Sequence, residues 1–206
     1  MPRAALSRQD IDAFREQLCA VAARRFAEHG FAGVTLRGLA ADLGCSPMTP
    51  YRYFRDKGEI FAAVRAAAFA RVAEAEEACL REHAGADALT RLRALASTYI
   101  AFAQAEPDAY RIMFELTQPD SAEHPDLERE GLRAWEPLRA VVSDAVDGGL
   151  VAGDPDTLAH VCWAAIHGAV ALHLAGKLSL GRRLEDIAGP IIDLFVHGAA
   201  PAARRR

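Results

Sequence analysis

Several common signatures are missing from this chain. No two of its four cysteines, Cys19, Cys45, Cys79 and Cys162, form a CxxC pair, which leaves neither a disulfide framework nor a zinc site and reads as reduced, mostly buried thiols. No apolar run follows Arg3, Arg8 and Asp10, so no secretory signal is expected. The most apolar stretch, Val161 to Gly176, is interrupted by His167 and His173 and stops at Lys177, short of the roughly 20 residues of a membrane span. A cytoplasmic protein without membrane contact is the expectation. Catalytic signatures are missing too: no GxGxxG, no GxSxG and no HExxH. The nearest echo of a phosphate loop, Gly176-Lys177-Leu178-Ser179, lacks its upstream glycine, its adjacent Ser or Thr and a preceding strand. Sustained alternation is absent as well, and apolar residues recur instead at three and four, so the expected fold is all-α.

What remains is a chain of 206 residues, 51% hydrophobic and 25% charged, ample for a folded core in one or two domains. Its net charge of −4 points to no polyanionic partner, yet the charge is unevenly placed. Residues 1–58 hold nine Lys plus Arg against six Asp plus Glu, a net of +3, and residues 59–206 carry −7. A basic head on an acidic body suits a protein that meets phosphates at one end. The expected division is therefore a basic domain over 1–58 and a larger, acidic helical domain over 59–206.

Ser7 is placed to cap a first helix with the stripe Ile11, Phe14, Leu18, Ala22 and Phe26, closed by Gly30. Thr35 then caps a short helix, 36–43, with Leu36, Leu39, Ala40 and Leu43 inward. After the turn Gly44-Cys45-Ser46, a second short helix runs from Pro47 to about Phe54, with Phe54 inward, giving helix-turn-helix spacing. Asp56 and Glu59 form a capping box for a long helix to His83 with Ile60, Val64, Ala67 and Val72 inward. Beyond Ala84-Gly85-Ala86 the expected helices are 87–105, 107–118, 124–147, 155–178 and 184–198, with Asp154 the best capping residue among them.

The residues Phe26-Ala27-Glu28-His29-Gly30-Phe31-Ala32-Gly33-Val34-Thr35, Leu39-Ala40, Gly44-Cys45-Ser46, Tyr51-Arg52-Tyr53-Phe54 and Lys57 resemble the DNA-binding domain of the TetR (tetracycline-repressor-like) regulators. That resemblance implies an all-α homodimer whose N-terminal heads bind a double-stranded operator and whose C-terminal domain holds an effector. By the same resemblance Thr35, Thr49, Tyr51, Tyr53 and Lys57 match phosphate-contacting positions, and Arg37, Pro47, Met48 and Arg52 match positions facing the groove. Lys57 is one of only two lysines beside 22 arginines. Pro50 departs from the family pattern: it has no N–H and crowds the carbonyl of Ser46, so the first turn of the recognition helix is expected to be distorted or 3₁₀-like. Base readout at that tip would then be apolar, with Arg37 and Arg52 supplying the polar part.

In the larger domain, Trp163-Ala164-Ala165-Ile166-His167-Gly168 and its continuation to Leu178 resemble the Trp-His-Gly subtype of TetR C-terminal domains. Helices 155–178 and 184–198 carry Leu158, Val161, Ala165, Ala169 and Leu172, and Ile187, Ile191, Leu194 and Phe195. Their small residues, Ala165, Gly168, Ala169, Ala171 and Gly176, would let two such pairs close a four-helix dimer seam. Tyr99, Phe102, Tyr110, Met113, Phe114, Trp135, Trp163 and His167 are candidates for lining an apolar effector pocket, ordinary core being the competing reading. His160 and His167 share a helical face, but no carboxylate completes a metal site, and neither metal nor cofactor is expected. Asp108, Glu115, Glu128 and Glu130 read as a solvated face, and Arg204 to Arg206 as a tail. The competing functional classes are a constitutive DNA-binding structural protein without ligand, and a helical small-molecule-binding protein or enzyme that no longer binds DNA.

Overall fold

The computed structural model of the chain describes residues 7–114 and 124–201, and every regular element in them is helical. Eight α-helices follow in order: α1 (Arg8–Gly33), α2 (Leu36–Asp42), α3 (Lys57–Glu82), α4 (Ala88–Ala105), α5 (Pro107–Phe114), α6 (Pro125–Asp147), α7 (Pro155–Leu174) and α8 (Leu184–Ala199), with a 3₁₀ turn at Pro50–Arg52. Two compact units result: Met1–Phe69 with Asp108–Gly131, and Ala70–Pro107 with Leu132–Arg206. The boundary expected after residue 58 thus falls inside the first unit.

Helix α1 begins as its sequence dictates. Ser7 Oγ accepts from the Asp10 N–H at 3.1 Å and Asp10 Oδ2 accepts from the Ser7 N–H at 3.0 Å, a reciprocal box that satisfies two otherwise orphaned donors. Gly30, at φ +66°, breaks the helical line where the closure was expected, and one further turn runs to Gly33. Leu18, Ala22 and Phe26 are buried against Leu36 and Leu39 of α2, Phe54, and Ile60, Phe61 and Val64 of α3. Full burial of a side chain such as Leu18 or Phe26 is worth about 1.5–3 kcal/mol. Phe26 meets the Phe61 ring edge-on, with centroids 4.7 Å apart.

The start of α3 corrects one expectation. Asp56 Oδ1 does accept from the Glu59 N–H at 2.9 Å, but the Glu59 carboxylate reaches past Asp56 to the Arg55 N–H at 2.7 Å. Along α3, Ile60, Val64, Ala68 and Val72 are buried, whereas Ala67 is exposed.

In the second unit Asp87 caps α4, accepting from Thr90 N–H at 2.7 Å, and Asp154 caps α7, accepting from Thr157 N–H at 2.8 Å. Helix α7 packs on α8 and both pack on α4, burying Ala159, Cys162, Ile166, Leu184 and Ile192. Burial pushes the Cys162 thiol up to about 12, so it stays protonated and inert. Helix α7 ends at Leu174, four residues before the expected end, because Gly176 at φ +65° lets the Lys177 N–H turn back onto the Leu172 carbonyl at 2.8 Å. Gly176 is therefore a helix terminator and does not belong to the small-residue face. Residues 115–118 of the expected 107–118 helix, Glu115 among them, and Arg204 to Arg206 lie outside the described residues.

Candidate nucleic-acid interface and effector site

Helix α2 and the 3₁₀ turn form the helix-turn-helix. Thr35 Oγ1 accepts from the Gly38 N–H at 3.1 Å, and Gly44 at φ +63° lets the Cys45 N–H reach the Ala40 carbonyl at 2.9 Å, which sets the tight turn. The second element is not the α-helix expected over residues 47–54. Pro50 cannot donate to Ser46 O; that carbonyl instead accepts from the Thr49 N–H at 2.8 Å, and the bonds Arg52 N–H to Thr49 O and Tyr53 N–H to Pro50 O close three-residue turns. Pro50 itself is buried, so its ring is held inside the head and the tip of the element remains a turn.

The candidate DNA contacts are presented unequally. Thr35, Arg37, Pro47, Met48, Tyr51 and Arg52 are exposed, Met48 to 66% and Tyr51 to 51%. Thr49 and Tyr53 are half-buried. The Tyr53 ring stacks on Phe14 at 4.3 Å, and its carbonyl accepts from Arg15 Nη1, whose guanidinium lies 4.0 Å over the Phe54 ring. Lys57 is also engaged within the head: Nζ donates to the Phe31 carbonyl at 2.7 Å and sits 4.2 Å above the Phe31 ring. Its position braces the end of α1 against the start of α3. Arg25, on α1, grips Asp42 at the end of α2 through two bonds of 2.6 Å, which holds the Asp42 carboxyl below its usual range.

The eight effector candidates divide between the two units. Tyr110, Met113 and Phe114 of α5 belong to the first, where Phe114 lies 5.0 Å from Tyr110 and meets Phe69 edge-on at 5.8 Å. In the same unit Arg65 Nη2 donates to the Met113 carbonyl at 3.2 Å. Tyr99, Phe102, Trp135, Trp163 and His167 belong to the second. There the Tyr99 hydroxyl lies 2.9 Å from His167 Nδ1 and accepts from Trp163 Nε1–H at 3.4 Å. Trp163 meets Trp135 edge-on at 6.2 Å, and burial lowers the pKa of His167, which favours the neutral imidazole. Phe102 is buried. His160 donates Nδ1–H to Asp156 O at 2.7 Å and packs on Trp135, so it and His167 serve different partners. Among the described residues no three His, Cys, Asp or Glu side chains converge on a possible metal position. Asp108 and Glu128 are exposed, and Glu130 pairs with Arg129 at 3.0 Å.

One residue escaped the sequence reading. Glu76, 6% exposed, is the only charged side chain buried among the described residues. Its signal was present: it stands four after Val72, on the apolar stripe of α3.

The comparisons agree with this anatomy. Residues 18–64 match the family described as bacterial regulatory proteins, tetR family, and residues 92–195 match the tetracyclin repressor-like C-terminal domain. Among solved structures, a protein of unknown function from Rhodococcus sp. RHA1 is 27% identical, with a TM-score of 0.78 over 98% of this chain and 100% of that one. The regulator FadR from Bacillus subtilis, solved with stearoyl-CoA, is 17% identical (TM-score 0.74; 89% and 98% covered). The TetR family transcriptional regulator PfmR from Thermus thermophilus is 21% identical (TM-score 0.67; 87% and 96% covered). No curated protein matches the chain. With both halves of the family's architecture matched, the C-terminal one over more than half its length, the chain belongs to the TetR family of DNA-binding, helix-turn-helix transcriptional regulators.

Proposed function

We propose that the protein is a homodimeric repressor that leaves a pseudo-palindromic operator when a small apolar molecule binds its second unit. The observation that carries this reading is the head: a closed apolar core beneath exposed Arg37, Met48, Tyr51 and Arg52. Arginine forks can read guanine O6 and N7, Met48 and Pro47 suit thymine methyls, and the hydroxyls of Thr35, Thr49, Tyr51 and Tyr53 suit phosphate oxygens. Two heads about 34 Å apart would address successive major grooves.

The dimer seam of the proposal is the outer face of α7 and α8. Helix α7 is long and apolar enough to cross a membrane, yet only 28% of that stretch is buried. Val161, Ala164, Ala165, Ala171 and Leu172 on α7 and Leu194 on α8 are exposed. Small residues flanked by Val and Leu favour close helix contact with a second copy, and three histidines and Asp156 argue against lipid. The Trp-His-Gly subtype, resting on Trp163, His167 and Gly168, a cytoplasmic location and the absence of catalysis are parts of the same reading. Helix α3, shared by both units, is the lever; a coupling of about 1–3 kcal/mol gives about 5–150-fold release. Footprinting on the DNA beside its own gene, with and without long-chain acyl compounds such as the ligand of the Bacillus subtilis neighbour, tests it. A protected palindrome that opens on addition of effector is expected; uniform, sequence-independent protection would favour a structural DNA-binding protein.

A further inference from the structure

The reading element of the head has little support of its own. In an α-helix over residues 47–54 each carbonyl from Ser46 to Pro50 would accept from the N–H four residues ahead, but Pro50 has no N–H to give Ser46. Turns of the tighter 3₁₀ kind, with poorer hydrogen-bond geometry, take over at Thr49, Arg52 and Tyr53, and Phe54 N–H keeps an α-type bond to Pro50 O at 3.0 Å. Exposed Tyr51 and Arg52 ride on this weakened backbone. Its support comes from α1. Phe14 and Arg15, consecutive on that helix, grip Tyr53 and Phe54, consecutive at the end of the turn. The Phe14 ring stacks on the Tyr53 ring at 4.3 Å, Arg15 Nη1 donates to the Tyr53 carbonyl, and Arg15 Cζ lies 4.0 Å over the Phe54 ring, which is 2% exposed. That carbonyl is one of the acceptors a helix end leaves without a partner of its own. Arg15 is half-buried, and among the described residues no carboxylate pairs with it, so its charge is spent on a carbonyl and a ring inside the head.

We propose that Arg15 is the positioning residue of the DNA-reading turn: from α1 it stands in for the bond that Pro50 removes, and so aims Tyr51 and Arg52 at the duplex without touching the DNA itself. This rests on the regulator reading above and names what holds its reading surface. The turn is fixed at both ends by groups that face inward, Pro50 in the core at one end and Phe54 beneath Arg15 at the other, and the exposed pair lies between them. A bond with a charged donor is shorter and stronger than a neutral one, and a guanidinium on the face of an aromatic ring adds its own attraction. Lys57 makes the same double use of the Phe31 carbonyl and ring, so the head employs two cations as internal braces. Lys57 ties α1 to α3, whereas Arg15 alone of the two holds the reading turn.

The test pairs amide hydrogen exchange with DNA binding, both on the full chain. Arg15→Met keeps an unbranched stem and removes the donor and the charge. It is expected to speed exchange of the Arg52, Tyr53 and Phe54 amides by about tenfold while α2 stays as protected as in the parent. Arg15→Lys, which keeps a cation of the kind that braces Phe31, should retain most of that protection and guards against a first variant that fails to fold. Made on Pro50→Ala, which gives the Ser46 carbonyl its donor back, Arg15→Met should speed the same amides less. On the duplex protected in the footprint, Arg15→Met should lower the ratio of operator to random-duplex affinity by at least about fivefold, the low end of what one base contact carries, with the salt dependence of random-duplex binding unchanged. A shallower salt dependence would make Arg15 a phosphate ligand, and equal acceleration throughout the head would make it ordinary core. Unchanged exchange would mean that the turn holds itself, and an equal effect with and without Pro50 would separate Arg15 from the missing bond. Each of these overturns the proposal. If the parent protects no sequence, the regulator reading falls, and the exchange measurement, which needs no DNA, still decides whether Arg15 holds the turn.

Discussion

Arg37 and Arg52 are both exposed in the head, and under the proposed function both face the groove. An arginine that forks onto a guanine carries discrimination of about 1–3 kcal/mol, so Arg37→Ala should lower the ratio of operator to random-duplex affinity by about 5–150-fold, measured by competition binding. An unchanged ratio would assign Arg37 to the phosphates. Glu76 supplies the second prediction at this scale. Its folded-state pKa is raised above the unfolded one, so the stability it permits is fully present below about pH 4.5 and is lost as pH rises to about 8. Glu76→Gln should remove that decline and raise the melting temperature at pH 8 by several degrees, at roughly 2–4 °C per kcal/mol. A pH profile identical to the parent's would mean that the carboxyl finds water in solution. Both residues were visible in the sequence, but only one was legible. Arg37 announced itself by sitting in a recognisable motif, whereas Glu76 was one acid among 28, distinguished only by the face of α3 it occupies.

The short second element of the helix-turn-helix shows local covalent chemistry overriding a pattern. Its capping signal at Ser46 and its inward Phe54 were legible, and so was the distortion, because a missing N–H at Pro50 is a property of the residue and needs no tertiary contact. How far the distortion spread was not legible: it left no α-helix at all. Pro50→Ala restores a donor for the Ser46 carbonyl and should convert the turn towards an α-helix, raising helical circular dichroism and altering operator preference more than affinity for random duplex. For the helix pair, the prediction concerns assembly. Leu194, 73% exposed, and Val161, 54% exposed, sit on the outer faces of α8 and α7. Leu194→Arg combined with Val161→Arg should shift sedimentation from dimer to monomer with little loss of monomer helicity, since neither side chain belongs to the buried core of its unit. A double variant that sediments as the parent does would place the seam elsewhere.

For the whole molecule, electrostatics and linkage are the measurable consequences. Two arginines per head, doubled in a dimer, bring four cations to the DNA, whereas the hydroxyls of Thr35, Thr49, Tyr51 and Tyr53 are neutral and release no counterions. Raising salt from 50 to 200 mM should weaken duplex binding by roughly 10²-fold, and a flat dependence would argue that the arginines do not reach the DNA. The net charge of −4 conceals this, because a total discards position.

The sequence by itself determined the fold class, the helix starts set by Ser7, Thr35 and Asp154, and the exposure of Thr35, Arg37, Tyr51 and Arg52 in the head. These depend on periodicity, caps and backbone chemistry, which act within a few residues of chain. Tertiary structure decided which face of α3 is inward at Ala67 and Glu76, that Lys57 spends its ammonium on Phe31, and that the eight aromatic and polar candidates split between two units. Burial and pairing of that kind depend on which distant segments arrive beside a residue, and helical periodicity fixes only a side chain's direction along its own axis.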